Sequence, residues 1–142
     1  MNPVIFMEPK KLYDAPKVGV PEDEYEIPLG KAKILKEGDD ITIVAYGYMV
    51  YPALEAAQNY SADVIDLRTL SPMDMDTIRK SVQKTGRLVI VHEAQRMCGI
   101  GAEIAATIAD KELFSLKAPI KRVTGYDIVP PLGKLESLSS RR

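Results

Sequence analysis

Residues 88–108 read LVIVHEAQRMCGIGAEIAATI, and their texture changes twice within that span. Leu88, Val89, Ile90 and Val91 form a continuous apolar, mostly β-branched run, as a strand covered on both faces requires. A polar segment follows. Gly99-Ile100-Gly101 then leads into a run in which Gly101 opens a helix and Ile104, Ala105 and Ile108 share one face. A buried strand, a tight turn and a helix in succession are the first half of a βαβ unit.

Upstream, the same alternation occurs twice. Residues 41–46 (ITIVAY) read as a buried strand. Pro52 then suits the first turn of a helix carrying Ala53, Leu54, Ala56 and Ala57 and ending near Asn59. Residues 63–67 (DVIDL) read as another strand, and Ser71-Pro72 offers a helix start. Asp74 and Asp76 fall in its first turn, where the helix dipole favours negative charge. Met75, Ile78 and Val82 share a face, and Gly86 stops the run. Downstream, residues 120–123 make a last strand. A shorter strand, residues 33–36, is tied to Ile41 by Glu37-Gly38-Asp39-Asp40, a connection that suits antiparallel neighbours.

This pattern predicts an α/β fold of three layers, α/β/α, around a mostly parallel sheet of about five strands with the first strand antiparallel. Residues 31–142 make up that domain. Residues 1–30 carry prolines at 3, 9, 16, 21 and 28 and a short apolar run at 4–6, and read as an extended entry arm. Its acidic cluster Glu22, Asp23, Glu24 and Glu26 reads as a solvated loop.

Composition bounds the function. A chain of 142 residues, 46% hydrophobic and 27% charged, is large enough to bury a core without disulfides. A net charge of −1 gives no field favouring a polyanion, so no nucleic-acid partner is expected. No leader and no apolar run near the ~20 residues of a membrane span is visible, so no membrane partner is expected either. A single cysteine suits a reducing compartment. The expected location is the cytoplasm.

The chemistry-bearing residues crowd into the opening stretch. It holds the one histidine, His92, a carboxylate beside it, Glu93, and the one cysteine, Cys98. His92 follows a buried strand at the carboxyl end, where open α/β sheets place ligands, so His92-Glu93 is the best local polar pair. The bland alternative is a histidine satisfied by neighbouring backbone or by a partner chain. Cys98 could be a nucleophile activated at a helix start, in a hydrolase or redox protein. The alternative is a small residue tolerated in a tight turn. Gly99 and Gly101 resemble a phosphate loop, which would make a stand-alone nucleotide or small-molecule module. However, Ile104 stands where a dinucleotide fingerprint needs its third glycine, so close approach of helix to sheet is the plainer reading. With one histidine and one cysteine, no metal site of the usual type is expected.

Three long segments together carry a resemblance: residues 64–78 (VIDLRTLSPMDMDTI), 85–108 (TGRLVIVHEAQRMCGIGAEIAATI) and 118–127 (APIKRVTGYD). They resemble the C-terminal, transketolase-type domain of the beta subunit of thiamine-diphosphate-dependent 2-oxo acid dehydrogenases of the pyruvate or branched-chain kind. Residues 2–13 (NPVIFMEPKKLY) and 27–47 (IPLGKAKILKEGDDITIVAYG) resemble that family's entry into the same domain. Other transketolase-group enzymes share the fold and remain an alternative.

The resemblance implies an oxidoreductase acting on an oxo group with a disulfide acceptor. In the intact complex, a 2-oxo acid is oxidatively decarboxylated and its acyl group passes to a lipoyl arm. It also implies thiamine diphosphate and magnesium in the intact complex, held by a Gly-Asp-Gly … Asn-Asn signature of an alpha subunit. Here Gly38-Asp39-Asp40 departs from that signature, and Asn2 and Asn59 are the only asparagines. The pyrimidine-activating glutamate belongs to a preceding domain that this sequence does not include. No cofactor is therefore expected on the chain alone, no residue in it is expected to be catalytic, and it is not expected to turn over substrate by itself. The implied role is assembly with the alpha subunit, a second beta subunit and the dihydrolipoyl acyltransferase core. His92, Glu93, Arg96, Gly99 and Gly101 would sit near subunit contacts or a neighbouring active site. Lys117, Lys121 and Arg122 would form a docking edge or a solvated strand flank. The tail carries Leu135-Glu136 as the family does, but residues 137–142 (SLSSRR) are short and polar.

Overall fold

The computed structural model of the chain describes residues 3, 5, 7–17 and 19–129. Asn2, two residues of the 4–6 run and the tail from 130 onward, with Leu135, Glu136 and residues 137–142, lie outside them. In chain order come β1 (Lys33–Lys36), β2 (Ile41–Ala45), α1 (Val50–Ala56), β3 (Ala62–Asp66), α2 (Met75–Thr85), β4 (Leu88–Gln95), α3 (Ile100–Glu112) and β5 (Lys121–Gly125). They form one five-stranded sheet in the order β1-β3-β2-β4-β5. β1 runs antiparallel to β3, and the other pairings are parallel.

Strand alternation divides the core into two layers. Val44, Ile65, Leu88 and Ile90 point to the side covered by α2 and α3, where they meet Ile78, Val82, Ile104 and Ile108. Ile43, Ala45, Val64 and Val91 point the other way and meet Val50, Ala53 and Ala57 of and just after α1. This is the three-layer α/β/α arrangement. Val44, Ile65, Ile90, Ile104 and Ile108 are fully buried, each contributing roughly 1.5–3 kcal/mol relative to exposure.

β1 and β2 are not neighbours, contrary to the expectation from their short connection: β3 lies between them. The loop at residues 37–40 does not turn within the sheet but passes across the amino end of β3. There Gly38 N–H donates to Asp63 Oδ1 at 2.9 Å, Asp39 N–H to Ser61 Oγ at 2.9 Å, and Asp40 N–H to the Ser61 carbonyl at 2.8 Å. The crossing is so close that a Cβ on Gly38 would stand 2.1 Å from the Ala62 nitrogen.

Most other boundaries move by a residue or a few: β2 ends at Ala45, α1 ends at Ala56, β3 is Ala62–Asp66 and β5 is Lys121–Gly125. α2 starts at Met75, beyond Ser71-Pro72, because Asp74 caps it by accepting from Thr77 N–H at 3.2 Å. α3 starts one residue earlier than Gly101, with Gly99 in the capping position. β4 continues through His92 to Gln95, four residues past the apolar run. The entry arm lacks buried side chains over Lys10–Asp14, where it forms a short 3-10 helix.

Candidate functional site

β2 and β4 are adjacent, and the loops that leave them reach helices on opposite faces of the sheet. Open α/β sheets place ligands in the crevice outside the strand ends at such a point. One wall is Tyr46 and the 3-10 turn Gly47–Met49 after β2; the other is the end of β4. Across it the Tyr46 and His92 rings stack, with centroids 5.9 Å apart and planes 19° apart.

His92 is 1% exposed. Its Nδ1 lies 3.1 Å from the Ala94 carbonyl, which assigns the proton to Nδ1 as donor. Its Nε2 lone pair is buried without a hydrogen-bond partner among the described residues. The ring lies under the amino end of α3, against Gly99 and Gly101. A Cβ at Gly101 would stand 2.5 Å from Nε2, and one at Gly99 would stand 2.8 Å from Cε1. Burial pushes the imidazole below its ordinary pKa, the Ala94 carbonyl opposes that shift, and the Arg122 charge adds to it. The ring is therefore neutral at pH 7, with its lone pair toward the positive end of a helix dipole. Gly99 and Gly101 thus admit the histidine; they are not open to a phosphate.

His92 and Glu93 do not face each other. Both lie within β4, and successive strand residues project to opposite sides. Glu93 is exposed and meets Lys11 of the entry arm at 3.6 Å. Arg96 and Arg122 clasp each other: Arg96 Nη1 donates to the Arg122 carbonyl at 3.4 Å, and Arg122 Nη1 to the Arg96 carbonyl at 3.2 Å. Met97 N–H to Asp127 Oδ1 at 2.7 Å and Gln95 Nε2 to the Ile128 carbonyl at 2.5 Å extend the same closure. The loop after β4 is thereby fastened to the end of β5. Cys98 sits in it exposed, with a left-handed φ of 55°.

Lys117, Lys121 and Arg122 are not gathered into one patch. The Lys117 backbone donates to the Gly86 carbonyl at 2.7 Å and its stem covers Gly86, below the start of β4. Lys121 and Arg122 are successive in β5 and so leave opposite faces.

Sequence reasoning missed a buried polar network at the opposite, amino end of the sheet. Thr42 Oγ1 lies 2.7 Å from Ser81 Oγ and 2.8 Å from Thr85 Oγ1. Asp63, 2% exposed, accepts from Ser81 Oγ at 2.6 Å and Lys84 Nζ at 2.8 Å. Burial alone would raise the Asp63 pKa, but Lys84, Ser81 and the Gly38 amide hold it below the usual carboxylate value. The available signal was a threonine inside the apolar run 41–46, with Ser81 and Thr85 four apart on a helix face.

A family model described as the transketolase C-terminal domain matches residues 30–140. The chain belongs to that family. This transketolase C-terminal domain is 48% identical over 142 residues to the pyruvate dehydrogenase E1 component subunit beta of Staphylococcus epidermidis, covering 96% of this chain and 44% of that one. It is 46% identical, with the same coverage, to the protein of that name from Staphylococcus aureus strain Mu50. A solved chain described as "Split gene transketolase, inactive beta4 tetramer" superposes with a TM-score of 0.68 at 31% identity. That match covers 86% of this chain and 40% of the solved one. The domain thus spans less than half the length of the relatives it matches.

The described residues do not fit the thiamine diphosphate and magnesium that the resemblance implies. Among the described residues no group of three or more His, Cys, Asp or Glu could hold a metal ion. The amides of the 37–40 loop are engaged by Asp63 and Ser61, and Asp39 faces Lys84 at 3.7 Å. The glycine turn before α3 is filled by His92. No described helix is long and apolar enough to cross a membrane.

Proposed function

We propose that this transketolase C-terminal domain works as the assembly part of a pyruvate dehydrogenase-type beta subunit, in the cytoplasm. In the whole enzyme, pyruvate or a branched-chain 2-oxo acid is oxidatively decarboxylated at a thiamine diphosphate and magnesium centre that other domains build. The acyl group then passes to the lipoyl disulfide of an acyltransferase core. The domain supports that centre from outside, pairing with a second beta subunit, contacting the alpha subunit and meeting the core.

The observation that carries this reading is the state of the loop after β4. Its polar groups are joined to β5 and its glycines are closed on a neutral, buried histidine. A loop so engaged has shape to offer a neighbouring subunit and few free groups to offer a substrate. Relatives named pyruvate dehydrogenase E1 beta subunits, at 46–48% identity, favour pyruvate as the substrate. The nucleotide-module alternative lacks the open glycine loop it requires.

The test is a chimera. This chain replaces the matching part of the Staphylococcus epidermidis beta subunit, which is co-expressed with its alpha subunit. The expected result is an assembled complex that oxidises pyruvate. A chimera that folds but neither assembles nor supports turnover overturns the proposal.

A further inference from the structure

The crevice between the ends of β2 and β4 is crossed by the chain's own entry arm. Lys11, in the 3-10 helix Lys10–Asp14, places its ammonium 4.3 Å from the centroid of the Tyr48 ring and 3.6 Å from Glu93 Oε1. Tyr48 follows β2 and Glu93 belongs to β4, so one side chain bridges both walls. The segment's other hold on the body is shallow, with Pro16 bordering an open pocket beside Leu35, Tyr48 and Tyr51. No side chain of Lys10–Asp14 is buried, and only Leu12 and, just beyond, Ala15 are half-buried. The segment has its own local order: Leu12 N–H donates to the Pro9 carbonyl at 3.0 Å, Ala15 N–H to the Leu12 carbonyl at 3.1 Å, and Tyr13 hydroxyl to Glu8.

We propose that residues 8–16 are a strap that closes this crevice, with Lys11 as its latch on Tyr48 and Glu93. When the latch releases, the strap leaves the Tyr48 and Glu93 side of the sheet end, and its single turn, unsupported by the body, opens to solvent. An exposed cation–π contact and a surface ion pair are each weak. The closed state is therefore favoured modestly, as a movable strap needs. One half of the latch is a solvent-exposed ion pair, which salt weakens by screening.

The test uses amide hydrogen exchange by NMR on the 142-residue chain, read at Leu12 and Ala15 in the strap and at Gly47 and Tyr48 in the crevice wall. Removing both contacts with Lys11→Ala is expected to speed exchange at all four amides by about three- to thirty-fold. Raising salt from about 20 mM to 1 M should speed exchange in the wild type and have little effect in Lys11→Ala. Lys11→Arg keeps the cation and should restore slow exchange. Lys10→Ala removes the same charge one residue away and should leave the rates unchanged. Wild-type rates in Lys11→Ala, or equal acceleration in Lys10→Ala, would overturn the proposal, since either means that Lys11 does not hold the segment down.

Discussion

Replacing Gly101 with alanine sets two effects of opposite sign against each other. Gly101 lies in the first turn of α3, where alanine is favoured over glycine by roughly 0.5–1 kcal/mol. Against that, the new methyl would stand 2.5 Å from His92 Nε2, 2.8 Å from Cδ2 and 3.2 Å from Ile90 Cγ2. Carbon contacts are comfortable at about 3.5–4.0 Å, so the ring would have to retreat by roughly 1 Å. It has nowhere to go: Tyr46 stacks on it, the backbone at Gly99 closes on Cε1, and Nδ1 is tied to the Ala94 carbonyl. Overpacking of this kind costs roughly 1–3 kcal/mol. The steric effect wins, and Gly101→Ala should destabilise the domain by about 1–2 kcal/mol. With the ring removed, the sign should reverse: in a His92→Ala background the same change should stabilise by roughly 0.5–1 kcal/mol. Urea unfolding followed by circular dichroism measures all four corners of this cycle, with midpoints compared at equal slope. Stabilisation by Gly101→Ala with His92 intact, or additivity around the cycle, would refute the packing of helix on histidine.

The remaining predictions concern the other end of the sheet and the histidine itself. Gly38→Ala brings its methyl against backbone atoms of Ser61 and Ala62 that cannot rotate away, whereas a Cβ at Gly19 meets nothing within 4 Å. Thermal unfolding should therefore show a loss above about 3 kcal/mol for the first and little change for the second; equal Tm values would contradict the loop crossing. Asp63 is held below its ordinary 3.8 by Lys84, Ser81 and the Gly38 amide despite its burial. The stability it contributes is complete above that value and is lost as the pH falls through the lower folded value. Asp63→Asn should thus lower stability at pH 7 and flatten its acid decline, and an unchanged pH slope would count against the network. His92 is shifted the other way from its usual partnered state, below 6.5 by burial. Protonation there favours the unfolded chain, so this contribution is full above about 6.5 and declines as the pH falls below it. An NMR titration of its ring should give a midpoint below 6.5, and a midpoint at or above that value would contradict the buried neutral ring.

The fold was largely legible because its elements are specified locally. The apolar runs at 41–46 and 88–91 are strands since β-branched residues in unbroken sequence leave no solvent face, and Ile104 and Ile108 mark α3 by spacing alone. Strand order was less legible. Connection length sets which strands can be neighbours, but Gly38 allows the 37–40 loop to cross a strand end, a fact held in a contact between residues distant in sequence. The same limit applies at the candidate site. His92 was visible as the lone histidine after a strand, and its two glycines were visible as punctuation. That the glycines exist for the ring depends on the helix returning over β4. Glu93 reads as its partner only if the strand stops at Val91; because β4 runs on to Gln95, the pleat turns these two adjacent side chains to opposite faces. Lys11 gave no signal, since nothing local to a proline-rich arm indicates which distant ring its ammonium meets.

The central claim is that the reaction centre is built by parts outside this domain. Titration calorimetry of the purified 142-residue chain with thiamine diphosphate and magnesium, combined with a pyruvate decarboxylation assay on the same sample, tests it directly. The account predicts no saturable heat at high micromolar cofactor and no carbon dioxide above the buffer control. Stoichiometric binding, or turnover by this chain alone, would contradict it.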